Sequence, residues 1–175
     1  MLGLIVLINL FGCNTNSKKV TEESSNKMTE EEYINFVNQE YKAYKILGDK
    51  LRDGNQAVYN SYKTNGTYAD PSIVKSYSAM LADAEKYVSS VIESRKKINP
   101  PDLFKENNQL YIKENETGLA NIQKEEDLIS SSGYDKIGKT EASKLSILGM
   151  GHGPFLAPMK DYIDKMEVYK NSMKK

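Results

Sequence analysis

Residues 70–101 read DPSIVKSYSAMLADAEKYVSSVIESRKKINPP, and this stretch decides the fold. Asp70 offers a side-chain acceptor at an N-cap, and Pro71 follows at the first helical position, where its missing N–H costs nothing. Val74, Tyr77, Leu81, Ala84, Val88, Val91 and Ile98 keep to alternating steps of three and four, with Arg95 filling the one polar place in the series. That is the spacing of a helix packing along a seam. Lys96 and Lys97 suit the negative end of the helix dipole. Pro100-Pro101 then forces a corner, because the residue before a proline avoids helical geometry.

Upstream, Thr29 and Glu32 have the spacing of a capping box, with Glu30 and Glu31 at the positive end of the helix they open. The apolar side of this first helix runs Ile34, Val37, Tyr41, Tyr44, Gly48, Leu51, Asn55, Val58, Tyr62. Gly48, Gly54 and Asn55 read as weak points, Gly54 costing about 1 kcal/mol relative to Ala. The phase survives them, so one helix is expected to about residue 64, ended by Asn65-Gly66.

Downstream of the corner, Asn99 is the expected cap of a third helix. Its apolar side is Leu103, Phe104, Leu110, Tyr111, Ile122, Leu128 and Ile129. The middle of that helix, 113–121, is polar and contains Gly118, which predicts loose packing or exposure to water. Ser130 to Gly133 reads as a turn. Ile137, Leu145 and Leu148 predict a short helix stopping at Gly149; Phe155, Met159, Tyr162, Met166, Tyr169 and Met173 predict another. Between them lies Gly149-Met150-Gly151-His152-Gly153-Pro154, poor in helix propensity. The three-four phase from Leu148 through His152 to Phe155 is nevertheless unbroken. The expectation is an all-α, antiparallel up-down four-helix bundle over 29–175, its fourth helix kinked or interrupted near 149–154.

The N-terminal segment carries a different signal. Residues 2 to 12 are apolar except for Asn9, and the run ends in Leu10-Phe11-Gly12-Cys13, with the only cysteine of the chain. An apolar run this short cannot cross a bilayer, which needs ~20 residues, but it matches the hydrophobic region of a cleavable signal. The reading is a lipoprotein signal peptide over 1–12, a lipidated Cys13, and a disordered tether over 13–28, rich in Asn, Ser, Thr, Lys and Glu. A start upstream of Met1 would supply the basic region that this leader lacks. Diacylglycerol on Cys13 would hold the protein at the membrane with two acyl chains, at about 0.8 kcal/mol per buried methylene. The bundle would then fold without disulfides.

With 24 basic and 24 acidic residues the formal net charge is zero, giving no electrostatic reason to expect nucleic acid. His152 is the only histidine. No second histidine or free cysteine is at hand to complete a metal site, so no metal and no cofactor is expected. Nucleotide loops, the hydrolase elbow and paired catalytic carboxylates are missing in recognisable form, so no catalytic residue is assigned. Tyr41, Tyr44, Tyr62, Tyr77, Tyr87 and Tyr111 lie at seam spacing, which reads as core or boundary; the functional alternative is a groove for a glycan or peptide ligand. His152 and Tyr111 are the candidate ligand contacts.

The Leu10-Phe11-Gly12-Cys13 box, the polar tract behind it and the Pro100-Pro101 corner between long helices give the chain a familiar layout. It resembles small predicted lipoproteins of low-GC Gram-positive bacteria, with all-helical ectodomains and no assigned activity. The resemblance implies anchoring on the outer face of the plasma membrane. The functional expectation is a non-enzymatic interaction module binding a protein or another envelope component. The alternative is a small-ligand binder or sensor with a cavity near the 149–154 loop.

Overall fold

The computed structural model describes residues 27–150 and five further positions, Asp164, Lys165, Val168, Asn171 and Ser172, all helical and exposed. Four helices carry the fold: α1 (Glu30–Asn65), α2 (Pro71–Lys97), α3 (Lys105–Ser132) and α4 (Lys139–Met150). Among the described residues there is no strand. The residues read as a signal peptide, Cys13, most of the tether, and 151–154 of the glycine-rich loop with His152 lie outside the described residues.

The ends of α1 and α2 form for local reasons. Thr29 Oγ1 accepts from the Glu32 N–H, and the Glu32 carboxylate accepts in return from the Thr29 N–H. Gly66 closes α1 in the left-handed region, φ 80°, its N–H donating to the Tyr62 carbonyl. Asp70 caps α2 by accepting from the Ser72 N–H, ahead of Pro71.

Polar contacts give the direction of each helix. Tyr33, Tyr44 and Asn55 of α1 meet Asn108, Asn115 and Glu125 of α3 in that order, so α1 and α3 run parallel. Along α2 the order reverses: Arg95 lies level with Tyr33, and Tyr77 with Asn55. α4 begins beside Thr67 and Tyr68 and descends until Leu145 and Gly149 reach Asn55. The helices pack as a closed ring, α1 on α2, α2 on α3, α3 on α4 and α4 on α1. The bundle is therefore antiparallel and up-down, as its sequence implies. At 36 residues α1 is about 54 Å long.

The core centres on Val37, Leu51, Val58, Val74, Leu81, Val88, Ile122, Ile129 and Leu145, all buried. α3 departs from expectation. Its buried series is Phe104, Asn108, Tyr111, Asn115, Gly118, Ile122, Glu125 and Ile129. That is an unbroken four-three alternation in which half the places lack an apolar side chain. The polar middle of α3 therefore faces inward through Asn115 and Gly118. Leu103 and Leu110, one step off this phase, are over half exposed. Asn99 does not cap α3: a 3₁₀ turn over Asp102–Phe104 leads into it, following the extended Pro101. The Asn99 carbonyl instead accepts from the Met28 N–H at 3.0 Å. Lys27 and Met28, read from sequence as the end of the tether, are thus fastened to this corner, where Lys27 and Lys105 both pair with Asp102.

Gly54 is a packing residue rather than a defect. A Cβ there would lie 2.7 Å from the Tyr77 ring and 3.1 Å from Met80 Sδ. On helix propensity alone Gly54→Ala should stabilise by about 1 kcal/mol. Overpacking reverses the sign, and a net loss of about 1–2 kcal/mol is expected by urea denaturation.

Hydrogen bonds from Lys105 and Lys27, reinforced by their positive charges, hold the exposed Asp102 carboxyl down to about 2. A depressed folded-state value means that the contribution is present above the ordinary aspartate range and is lost as pH falls toward 2. Asp102→Asn should lower the denaturation midpoint at pH 7. The variant and wild-type curves should converge near pH 2, and the gap should narrow in 1 M salt.

Candidate functional site: the buried polar layers

Three levels of polar side chains cross the interior. At the lowest, Arg95 of α2 is 1% exposed. Its Nε and Nη2 both donate to Oε2 of Glu40 on α1, at 2.8 and 2.5 Å. Nη1 donates to the Tyr33 hydroxyl at 2.9 Å and to Asn108 Oδ1 at 3.1 Å. Tyr33 in turn donates to Asn108 Oδ1, and Asn108 Nδ2 donates to the Arg95 carbonyl. The guanidinium carbon lies 4.7 Å from the Phe36 ring centroid and 4.4 Å from that of Tyr111. Planar stacking of this kind suits a guanidinium and not an ammonium.

The electrostatics follow from burial. Desolvation raises the Glu40 carboxyl, opposed by the attraction and hydrogen bonds of Arg95. Desolvation disfavours charge on Arg95, but Glu40, Tyr33 and Tyr111 together outweigh it, so the guanidinium is raised and remains charged. Tyr87 is pushed up to about 12, mainly by burial and then by the negative charge of Glu40.

At the middle level the Tyr44 hydroxyl donates to Asn115 Oδ1, and Asn115 Nδ2 donates to the Tyr111 carbonyl at 2.7 Å. The Tyr44 ring meets Tyr87 and Tyr111 edge to face, at 5.4 and 6.2 Å between centroids. Burial drives the Tyr44 and Tyr111 hydroxyls well above the ordinary phenol range.

At the highest level, the two N–H groups of Asn55 Nδ2 on α1 are shared among three acceptors, the Tyr77 hydroxyl of α2 at 3.1 Å, Glu125 Oε2 of α3 at 3.2 Å and the Leu145 carbonyl of α4 at 2.9 Å. Tyr77 completes the level by donating to Glu125. Burial, and then the Glu125 carboxylate, raise the Tyr77 hydroxyl far above its usual range. Gly149 is the price of this arrangement, since a Cβ there would lie 2.5 Å from Asn55 Nδ2.

Of the residues singled out from sequence, Tyr111 is in the interior, its ring covered by Arg95 and Tyr44. Its surroundings are those of a core tyrosine. His152 lies outside the described residues. Asn108, Asn115 and Glu125 escaped the sequence reading; the one signal for them was their place in the four-three series on α3. Among the described residues no group of three or more His, Cys, Asp or Glu is arranged to hold a metal ion, and no helix is long and apolar enough to cross a membrane. Comparison with family models, with curated proteins and with solved structures finds no match.

Removing one partner of the Arg95–Glu40 pair strands a buried charge. Arg95→Met should cost about 3–5 kcal/mol, and adding Glu40→Met should restore most of the loss. Arg95→Lys, which keeps the charge but loses the forked and stacked geometry, should also be destabilised. Denaturant midpoints of the three variants check this. A double variant no more stable than Arg95→Met would show that the charges are not what couples the two sites.

Proposed function

We propose that this chain is a lipid-anchored, extracytoplasmic interaction module: a helical rod, held through diacylglycerol on Cys13, that presents its outer surface to a protein or another envelope component. One observation supports the non-enzymatic reading most. Buried polar side chains of different helices engage one another: Arg95, Glu40, Tyr33 and Asn108 form one set, and Asn55, Tyr77 and Glu125 another. Groups so engaged make a stiff scaffold and leave function to the exterior. The corner at Lys27 and Met28 is where the segment carrying Cys13 joins, so the loops at 66–70 and 133–138 sit at the far end. These loops are tied together by the Ala69 N–H on the Ile137 carbonyl and carry the part-exposed Tyr68 and Tyr134.

Cys13→Ser should move the protein from the membrane fraction to the soluble fraction and abolish labelling by a clickable fatty acid. Membrane association unchanged by that substitution would contradict the anchor. Crosslinking on intact cells, read by mass spectrometry, should recover a specific partner with the wild-type protein. Recovery of none above background would count against the interaction role.

A further inference from the structure

Leu103 and Leu110 are 55% and 54% exposed. They lie seven residues apart along the 3₁₀ turn and α3, hence on one side. Further along, the same side becomes polar, through Thr117, so the apolar strip occupies only the corner end of the rod. This is the end at which the described chain begins. Lys27 pairs with Asp102, the residue before Leu103, and the Met28 N–H is bonded to the Asn99 carbonyl. Pro100, Pro101 and Phe104 are buried beneath the turn, so Leu103 projects from a firm base.

We propose that this corner is a membrane seat: Leu103, followed by Leu110, enters the interfacial region of the bilayer that holds the protein. The inference rests on the anchor reading above. Fourteen residue steps separate Cys13 from Lys27, and a chain of that length spans at most about 50 Å even fully extended. A lipid on Cys13 therefore keeps the corner within reach of the bilayer. Tethering raises the effective concentration of a weak contact to the millimolar range, so two leucines suffice where they would not hold a free protein. Charge does not drive the contact. Lys27, Lys96, Lys97 and Lys105 at this end are paired with Asp102, Glu116 and Glu93, and Glu30 and Glu31 lie nearby. The consequence is orientation, with Tyr68 and Tyr134 presented roughly 35–40 Å from the lipid, the length of α3 beyond the seat.

The test uses the full lipidated protein reconstituted in phosphatidylcholine vesicles, with an environment-sensitive fluorophore on Leu103→Cys or, as the far-end control, Tyr134→Cys. Both sites are exposed, and an unchanged denaturation midpoint verifies that each variant is folded. The label at 103 should be quenched by a doxyl group carried on the lipid and protected several-fold from aqueous iodide, whereas the label at 134 should show the reverse. Replacing a third of the lipid with phosphatidylglycerol, or adding 0.5 M salt, should leave the protection within two-fold. Protein that fails to float with the vesicles overturns the anchor reading and the seat with it. Protein that floats with position 103 as open to iodide as position 134 overturns the seat alone. Protection from iodide without lipid quenching would assign the strip to a second copy of the chain, and protection that needs anionic lipid would replace apolar insertion by charge; either overturns the proposal.

Discussion

A single side-chain amide joins all four helices. The two N–H groups of Asn55 Nδ2 are shared among Tyr77 on α2, Glu125 on α3 and the Leu145 carbonyl on α4. The register of the bundle depends on it and on the Arg95–Glu40 pair below. Apolar seams tolerate sliding, because one methyl replaces another at little cost. Polar seams do not. A slip of α2 against α1 by one heptad would part Arg95 from Glu40 and Tyr77 from Asn55, leaving charges and hydroxyls buried without partners. Each level thus penalises the alternative packings that the hydrophobic contacts alone would permit.

Where polar and apolar places followed the expected division, the sequence was legible. α1 and α2 combine standard caps with largely apolar seams, and both emerge with their anticipated ends. Even Arg95 was visible as the one polar residue on the α2 seam. α3 was legible as a helix but not in phase. Its core side is half Asn, Gly and Glu, so apolar spacing points instead to Leu103 and Leu110, which the fold leaves exposed. Gly54 misled in the same way: propensity marks it as a cost, while the Tyr77 ring at its Cα makes it a requirement. A single chain does not reveal such sites, because the partners that justify an inward polar residue lie on other helices.

Titratable groups in a protein interior often mark catalytic chemistry; here Arg95, Glu40, Tyr77, Glu125 and Tyr111 also tie helices to one another. Tyr111, a candidate ligand contact from sequence alone, is one of them. The described bundle is a rod whose longest helix measures about 54 Å, with one end at the Lys27–Met28 corner and the other made of two joined loops.

Spectrophotometric titration of the tyrosines tests the central claim, that buried hydrogen-bonded levels hold the four helices in register. A phenol in water ionises near pH 10. Tyr44, Tyr77 and Tyr111, one or more at the middle and upper levels, should stay protonated until the bundle unfolds, giving a second, cooperative step that coincides with loss of helical circular dichroism. Ionisation of all twelve tyrosines in one reversible wave near pH 10, with the helices intact, would contradict the account.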